Sequence, residues 1–145
     1  MREIRTEIEI DASAERVWTV LTDFSKFQQW NPFILTVNGT PTVGTRLKIH
    51  IRTSHGKIRI YSPTITKVDL NHELCWSGKS LIPGVFDGQR IFTIEILGTN
   101  RVQFVHKEIF SGFMVWFTTH RMEKDIRQSF EKMNYALKKR VEEGA

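Results

Sequence analysis

The chain has 145 residues, 40% of them hydrophobic, 11% aromatic and 26% charged, which fits a single globular domain over residues 1–145 and excludes a disordered or fibrous segment. Its one cysteine, Cys75, excludes an intramolecular disulfide framework and points to a reducing, cytoplasmic setting. The net charge of +5 is local, because seven Lys or Arg and no acidic residue fall between Phe24 and Val68, and without a basic tail it argues against nucleic acid as the partner.

No apolar run approaches the roughly 20 residues that span a bilayer, and the charged start Met1-Arg2-Glu3-Ile4-Arg5 leaves no room for a secretion signal. From Glu3 to Ile10 the residues Ile4, Thr6, Ile8 and Ile10 alternate with charged ones, the mark of a half-buried strand. Asp11-Ala12-Ser13 offers caps for a short helix whose apolar face is Ala14, Val17, Trp18 and Leu21. A second short helix carries Phe24, Phe27 and Trp30 and stops at Asn31-Pro32, since a residue before proline avoids the α region.

Alternation then returns. Leu47, Ile49 and Ile51 oppose Arg46, Lys48, His50 and Arg52, and Ile58 and Ile60 oppose Lys57, Arg59 and Tyr61, with Ser54-His55-Gly56 turning the hairpin. Further strands run from Ile65 to Val68, Glu73 to Ser77, Phe86 to Leu97 and Arg101 to Phe110, with Ile82-Pro83-Gly84 among the intervening turns. From about Met114 to Glu143, Trp116, Ile126, Phe130, Met133, Leu137 and Val141 recur at helical spacing, predicting one helix of roughly 40 Å. The expected fold is α+β: a curved antiparallel sheet of about seven strands wrapped around a long C-terminal helix, with two short helices after the first strand.

Several stretches carry a family resemblance: Ile10-Asp11-Ala12-Ser13-Ala14-Glu15-Arg16-Val17-Trp18, Trp30-Asn31-Pro32-Phe33, Leu74-Cys75-Trp76-Ser77-Gly78, Asp87-Gly88-Gln89-Arg90-Ile91-Phe92, His106-Lys107-Glu108-Ile109-Phe110 and Phe130-Glu131-Lys132-Met133-Asn134. In this order they resemble the START/Bet v 1-like (SRPBCC) helix-grip superfamily, and within it the bacterial polyketide cyclase/dehydrase and lipid-transport group. The resemblance implies a cavity between the concave sheet face and the long helix. It also implies two departures: Arg90 stands where relatives often have His, and the plant-type glycine-rich loop is reduced to Asn38-Gly39-Thr40-Pro41-Thr42-Val43-Gly44. Fold alone does not assign an activity.

Strand alternation puts Arg90 and Phe92 on one face of their strand and Phe104, His106, Glu108 and Phe110 on one face of the next. Charged groups inside an aromatic interior must pair or meet a ligand, because unpaired burial is costly. Two readings follow. Arg90 anchors a ligand oxygen while Glu108 or His106 transfers protons, or the three satisfy one another. The candidate cavity wall is aromatic: Trp30, Phe33, Trp76, Phe86, Phe92 and Phe104 in the first part of the chain, and Phe110, Phe113, Trp116, Phe117 and Phe130 toward its end.

No His pair has metal-ligand spacing and no cofactor motif is present, so neither metal nor cofactor is expected. Cys75 alternates away from the inward face. The basic stripe of Arg46, Lys48, His50, Arg52, Lys57 and Arg59 should line the outer face of its hairpin, as a solvated surface or as a transient contact for an anionic membrane. The leading expectation is a binder or carrier of a hydrophobic small molecule (a lipid, isoprenoid or aromatic polyketide-like compound), monomeric or homodimeric. The alternative is a cyclase, aromatase or dehydratase working by acid/base chemistry through Arg90, His106 and Glu108.

Overall fold

The computed structural model describes residues 2–78 and 87–144, so the expected turn at Ile82-Pro83-Gly84 and the wall residue Phe86 lie outside the described residues, as does the side chain of Phe113. The chain runs β1 (Arg2–Ile10), α1 (Ala14–Thr22), a 3-10 segment (Phe24–Gln29), β2 (Ile34–Asn38), β3 (Lys48–Arg52), β4 (Ile58–Tyr61), β5 (Thr64–Asp69) and β6 (Glu73–Gly78). It continues through β7 (Asp87–Gly98), β8 (Arg101–Ser111), a second 3-10 segment (Phe113–Phe117) and α2 (His120–Glu143).

β1, β8, β7, β6 and β5 form one antiparallel sheet in that order, and β2, β3 and β4 form a second. A bridge between Arg46 and Thr64 joins the two, supported by Leu47 N–H donating to Pro63 O at 2.7 Å and Ile65 N–H donating to Thr45 O at 2.9 Å. β4 and β5 are thus two parts of one bent run broken at Ser62-Pro63, where proline has no N–H to give a ladder. Counted that way there are seven strands among the described residues. Alternation in the sequence yields a similar number by taking these two parts separately and passing over β2. β2 escapes a search for alternation because its register shifts between Ile34 and Thr36, leaving Ile34 and Val37 as its buried residues, three apart.

The hairpin register corrects a second expectation. Arg52 pairs with Ile58, Ile51 with Arg59 and Ile49 with Tyr61, so Arg59 and Tyr61 share the face of the buried Ile49 and Ile51. Ile58 and Ile60 lie instead on the outer face with His50 and Arg52, exposed at 54% and 57%. The cause is the loop between Arg52 and Ile58, closed by Thr53 N–H to Lys57 O at 2.7 Å and turned by Gly56 at φ 82°, which sets the facing pairs independently of the hydrophobic pattern.

Ser13 caps α1 by accepting from Arg16 N–H at 3.2 Å, and Thr119 caps α2 by accepting from Met122 N–H at 3.2 Å. α2 therefore starts at His120 rather than near Met114, and its 24 residues span about 36 Å. The extended Thr118 and Thr119 separate the 3-10 segment, itself entered at Gly112 with φ 101°, from the helix, so Trp116 does not belong to its stripe. α2 buries Phe130, Met133, Asn134, Leu137 and Val141 and packs against β1, α1 and β8. Each large apolar side chain buried there contributes about 1.5–3 kcal/mol, which is why a helix so charged on its other faces holds its place. Arg127 donates to Arg5 O and Lys138 to Glu9 O, so α2 also covers the free edge of β1. Among the described residues no helix is long and apolar enough to cross a membrane.

Candidate functional site: a buried arginine in an aromatic interior

Four inward residues of β7 and β8 come together by register: Arg90 faces Glu108, and Phe92 faces His106. Arg90 is 4% exposed. Its Nη2 donates to Glu108 Oε2 at 2.8 Å and its Nη1 to His106 Nε2 at 2.8 Å. The guanidinium lies against two phenyl rings that touch each other, 5.1 Å from the centroid of Phe33 and 5.0 Å from that of Phe130. Gly88, two residues before Arg90 on the same face, leaves the space that the Glu108 carboxylate fills: a Cβ there would meet Glu108 Oε1 at 2.7 Å.

The chain of hydrogen bonds continues inward. Because an arginine N–H has no acceptor role, His106 Nε2 must accept, so Nδ1 carries the proton and donates to Asn134 Oδ1 at 3.0 Å. Asn134 Nδ2 donates to Thr6 Oγ1 at 2.8 Å, and Thr6 Oγ1–H donates to His106 O at 3.0 Å. His106 is fully buried, with Phe130 stacked on it at 4.2 Å and Phe92 tilted against it at 4.8 Å. Burial, then the positive charge of Arg90, holds the imidazole well below its ordinary pKa, with the Asn134 hydrogen bond working the other way. The ring is neutral and engaged at both nitrogens.

Glu108 lies at the more open end of this chain, its side chain 15% exposed against 5% for Arg90. Burial raises its carboxyl above the ordinary carboxylate value, opposed by Arg90. Burial also lowers the Arg90 guanidinium, opposed by Glu108 and by Tyr61 at the end of β4. One donor is left over: Arg90 Nε is buried without a hydrogen-bond partner.

The aromatic residues divide into three groups. Phe33, Phe92, Phe104, Phe130 and Trp76 are buried around Arg90 and His106, with Trp76 to Phe92 at 5.4 Å and Phe92 to Phe104 stacked at 5.9 Å. Trp30 and Phe110 are half-buried at the margin of the core. Trp116 and Phe117, expected as cavity wall, are exposed at 86% and 69%, because they sit on the 3-10 segment outside the helix stripe. Among the described residues the space between the concave sheet face and α2 is taken up by rings. Two open depressions lie at the periphery: one of about 440 Å3 between Arg5, Glu7, Arg127 and Glu131, and one of about 120 Å3 between Phe33, Arg52, Gly56 and Lys132.

Periodicity alone does not single out Asn134 and Thr6 as site residues, although each carries a signal. Thr6 is the one polar member of an isoleucine face, and Asn134 stands four residues after Phe130 next to the apolar stripe of α2. Cys75 is buried on the opposite sheet face from Leu74 and Trp76, and burial pushes its thiol up to about 11, which keeps it unreactive. The basic residues Arg46, Lys48, Arg52, Lys57 and Arg59 are exposed, and His50 is tied to Thr36 Oγ1 at 2.9 Å. Among the described residues no three His, Cys, Asp or Glu side chains gather as metal ligands.

Comparison with known proteins fits this architecture. The fold is similar to that of a START superfamily protein from Mycobacterium smegmatis, with a TM-score of 0.76 at 19% identity over 99% of both chains. It is similar to the ZhuI aromatase/cyclase from a Streptomyces species, with a TM-score of 0.77 at 16% identity over 97% of this chain and 93% of that one. A protein from Thermus thermophilus superposes with a TM-score of 0.79 at 15% identity over 99% of both chains. Identities this low establish the fold alone. No curated protein matches the sequence. Residues 1–142 match the family described as polyketide cyclase / dehydrase and lipid transport, and with its helix-grip architecture the chain belongs to that family of the START/SRPBCC superfamily.

Proposed function

We propose that the protein binds and carries a hydrophobic small molecule, a lipid, isoprenoid or aromatic polyketide-like compound, between the concave sheet face and α2, with an oxygen-bearing end directed to Arg90 and Glu108. The observation that carries this reading is the buried guanidinium itself. It is held against Phe33 and Phe130 at one end of an apolar interior, and its Nε–H has no partner among the described residues. An unmet buried donor costs about 1–3 kcal/mol, and a carbonyl, hydroxyl or carboxylate oxygen of a ligand would recover it. Entry of an apolar body requires the rings around His106 to part, so binding is coupled to an outward movement of the β3–β4 hairpin or of the segment before α2.

Native mass spectrometry of freshly purified protein, followed by organic extraction, tests this. A one-to-one hydrophobic adduct, or saturable binding of a fluorescent fatty acid that weakens in Arg90→Met, is the expected result. No adduct together with no saturable binding of apolar probes at micromolar concentration overturns it.

A second reading, acid/base catalysis of cyclisation or dehydration, is favoured by one feature: the raised Glu108 carboxyl, a group that holds a proton closer to neutral pH than an ordinary carboxyl does. The ZhuI neighbour is named an aromatase/cyclase. In that mechanism Glu108 is the proton-transfer group, Arg90 stabilises negative charge on the substrate oxygen, and His106, blocked at both nitrogens, only holds Arg90 in place. Turnover of a poly-β-ketone substrate that disappears in Glu108→Gln while binding persists supports it, and unchanged turnover removes Glu108 from the mechanism.

A further inference from the structure

The strand registers place Thr64 opposite Ser77, Gly78 opposite Gly88, and Phe110 opposite both Gly88 and Arg2, so these strand ends meet at one rim of the sheet. The chain leaves this rim at Gly112 into the 3-10 segment that carries Trp116 and Phe117, then enters α2. Trp116 is the most exposed large apolar side chain among the described residues, at 86%, and Phe117 beside it is exposed at 69%. Two adjacent large rings in water have no role in holding the fold.

Charges of both signs lie near them, the acidic Glu123 and Asp125 standing against Arg2 and His55. Arg121 and Lys124 lie on the first turns of α2, whereas Glu123 faces Arg2 at 3.7 Å. The β3–β4 hairpin is brought against the same helix by His55 and Asp125 at 3.8 Å, and it adds the exposed Lys57 and Arg59. The opposite rim exposes aliphatic residues and, among the described residues, no phenyl or indole ring: Leu70 at 72% beside Asp69 at the β5–β6 turn, and Ile96 at 72% and Leu97 at 48% beside Glu95 at the β7–β8 turn.

We infer that this rim docks on a bilayer containing anionic phospholipid, with Trp116 and Phe117 entering the interfacial layer and Lys57, Arg59, Arg121 and Lys124 facing the headgroups. Indole and phenyl rings suit the boundary between water and acyl chains, and basic side chains beside them supply the attraction that brings the surface there. The charge complementarity selects a lipid surface over a neutral apolar partner. The assignment rests on the exposed rim and not on what the interior binds, so it can fail while the carrier reading stands, and the reverse.

The test is flotation of the full chain with phosphatidylcholine vesicles, with and without about 30% phosphatidylserine, at low salt and at about 0.5 M salt. Expected are binding to the anionic vesicles only, roughly a tenfold or greater loss of binding in Trp116→Ser/Phe117→Ser and in Lys57→Glu/Arg59→Glu, reversal by salt, and no change in Leu70→Ser at the opposite rim. Circular dichroism confirms that the variants, altered only at exposed positions, remain folded. Absence of binding at low salt, equal binding to neutral vesicles, or undiminished binding of the Trp116→Ser/Phe117→Ser variant overturns the inference. So does a dimer in size-exclusion chromatography that this variant converts to monomer without any effect on vesicle binding, because the rings would then serve a second copy of the chain.

Discussion

Between pH 7.5 and 5, acid should weaken this protein through one buried imidazole. His106 is neutral in the folded state because burial and Arg90 oppose its protonation, whereas in the unfolded chain it titrates near 6.5. Below that value the unfolded state takes up one proton that the folded state refuses, so stability falls as pH falls, by about 1.4 kcal/mol per pH unit. By pH 5 the loss reaches about 2 kcal/mol, a large part of the roughly 5–15 kcal/mol that holds a domain together. Glu108, whose carboxyl is raised, works in the opposite sense: the folded state keeps its proton at pH values just above the ordinary carboxylate range, which offsets part of the slope at the acid end of the window. Arg90, Asn134 and Thr6 complete the polar groups facing the ring, and none of them changes charge between pH 5 and 7. Urea unfolding of the natural protein and of His106→Gln between pH 7.5 and 5 isolates the effect, since glutamine can still accept from Arg90 and donate to Asn134 but does not titrate. The variant should lose less stability over this range, by about 2 kcal/mol at pH 5. Identical pH dependence of the two proteins would refute the argument, as would a ring 15N spectrum showing a charged imidazole at pH 6.

Three further outcomes follow from the same geometry. Asn134→Ala removes the acceptor of the buried His106 Nδ1–H and should cost about 1–3 kcal/mol in urea unfolding, with the ring proton still on Nδ1 by 15N spectroscopy because Arg90 continues to donate to Nε2. Glu108→Ala leaves a buried guanidinium without its counter-charge and should cost about 3 kcal/mol, while the double variant Arg90→Met/Glu108→Leu should be less destabilised than the sum of the two single changes, read as a double-mutant cycle in chemical denaturation. Phe104→Ala, at a fully buried position stacked on Phe92, should cost about 3–5 kcal/mol and open a void that takes up xenon or benzene, measurable as a rise in melting temperature on adding benzene.

Much of this was legible in the sequence because burial and periodicity act together. The alternation in β1, β7 and β8 is regular, so the inward placement of Arg90, His106 and Glu108 could be read residue by residue, and Ser13 marked the start of α1 by the capping bond it makes. What failed has local causes. The bulge in β2 broke its period, and the loop between Arg52 and Ile58 turned Arg59 and Tyr61 to the concave side although the hydrophobic pattern places the isoleucines there. Trp116 kept helical spacing with Ile126 and Phe130, but spacing does not see the extended Thr118, which ends one segment, or the cap at Thr119, which starts another between them.

The polar chain shows where a one-dimensional pattern stops and packing begins. A catalytic histidine and a structural one look alike on a strand; what separates them is whether a ring nitrogen is left over for a substrate. Here one nitrogen is taken by Arg90, on the next strand, and the other by Asn134, on a helix 28 residues away in sequence. That second contact turns the imidazole into a fixed neutral strut, and the strut holds the guanidinium against Phe33 and Phe130. On the proposed reading, recognition therefore falls to Arg90 and Glu108, the two groups at its more open end, and a change at Asn134 should act on any ligand only through the orientation of Arg90. Asn134→Asp makes the point testable: a carboxylate on Nδ1 favours the charged ring, which repels Arg90, so ligand affinity should fall at pH 6 and recover toward pH 8 as the imidazole loses its proton. An affinity that is the same at both pH values would show that Arg90 holds its position without the histidine.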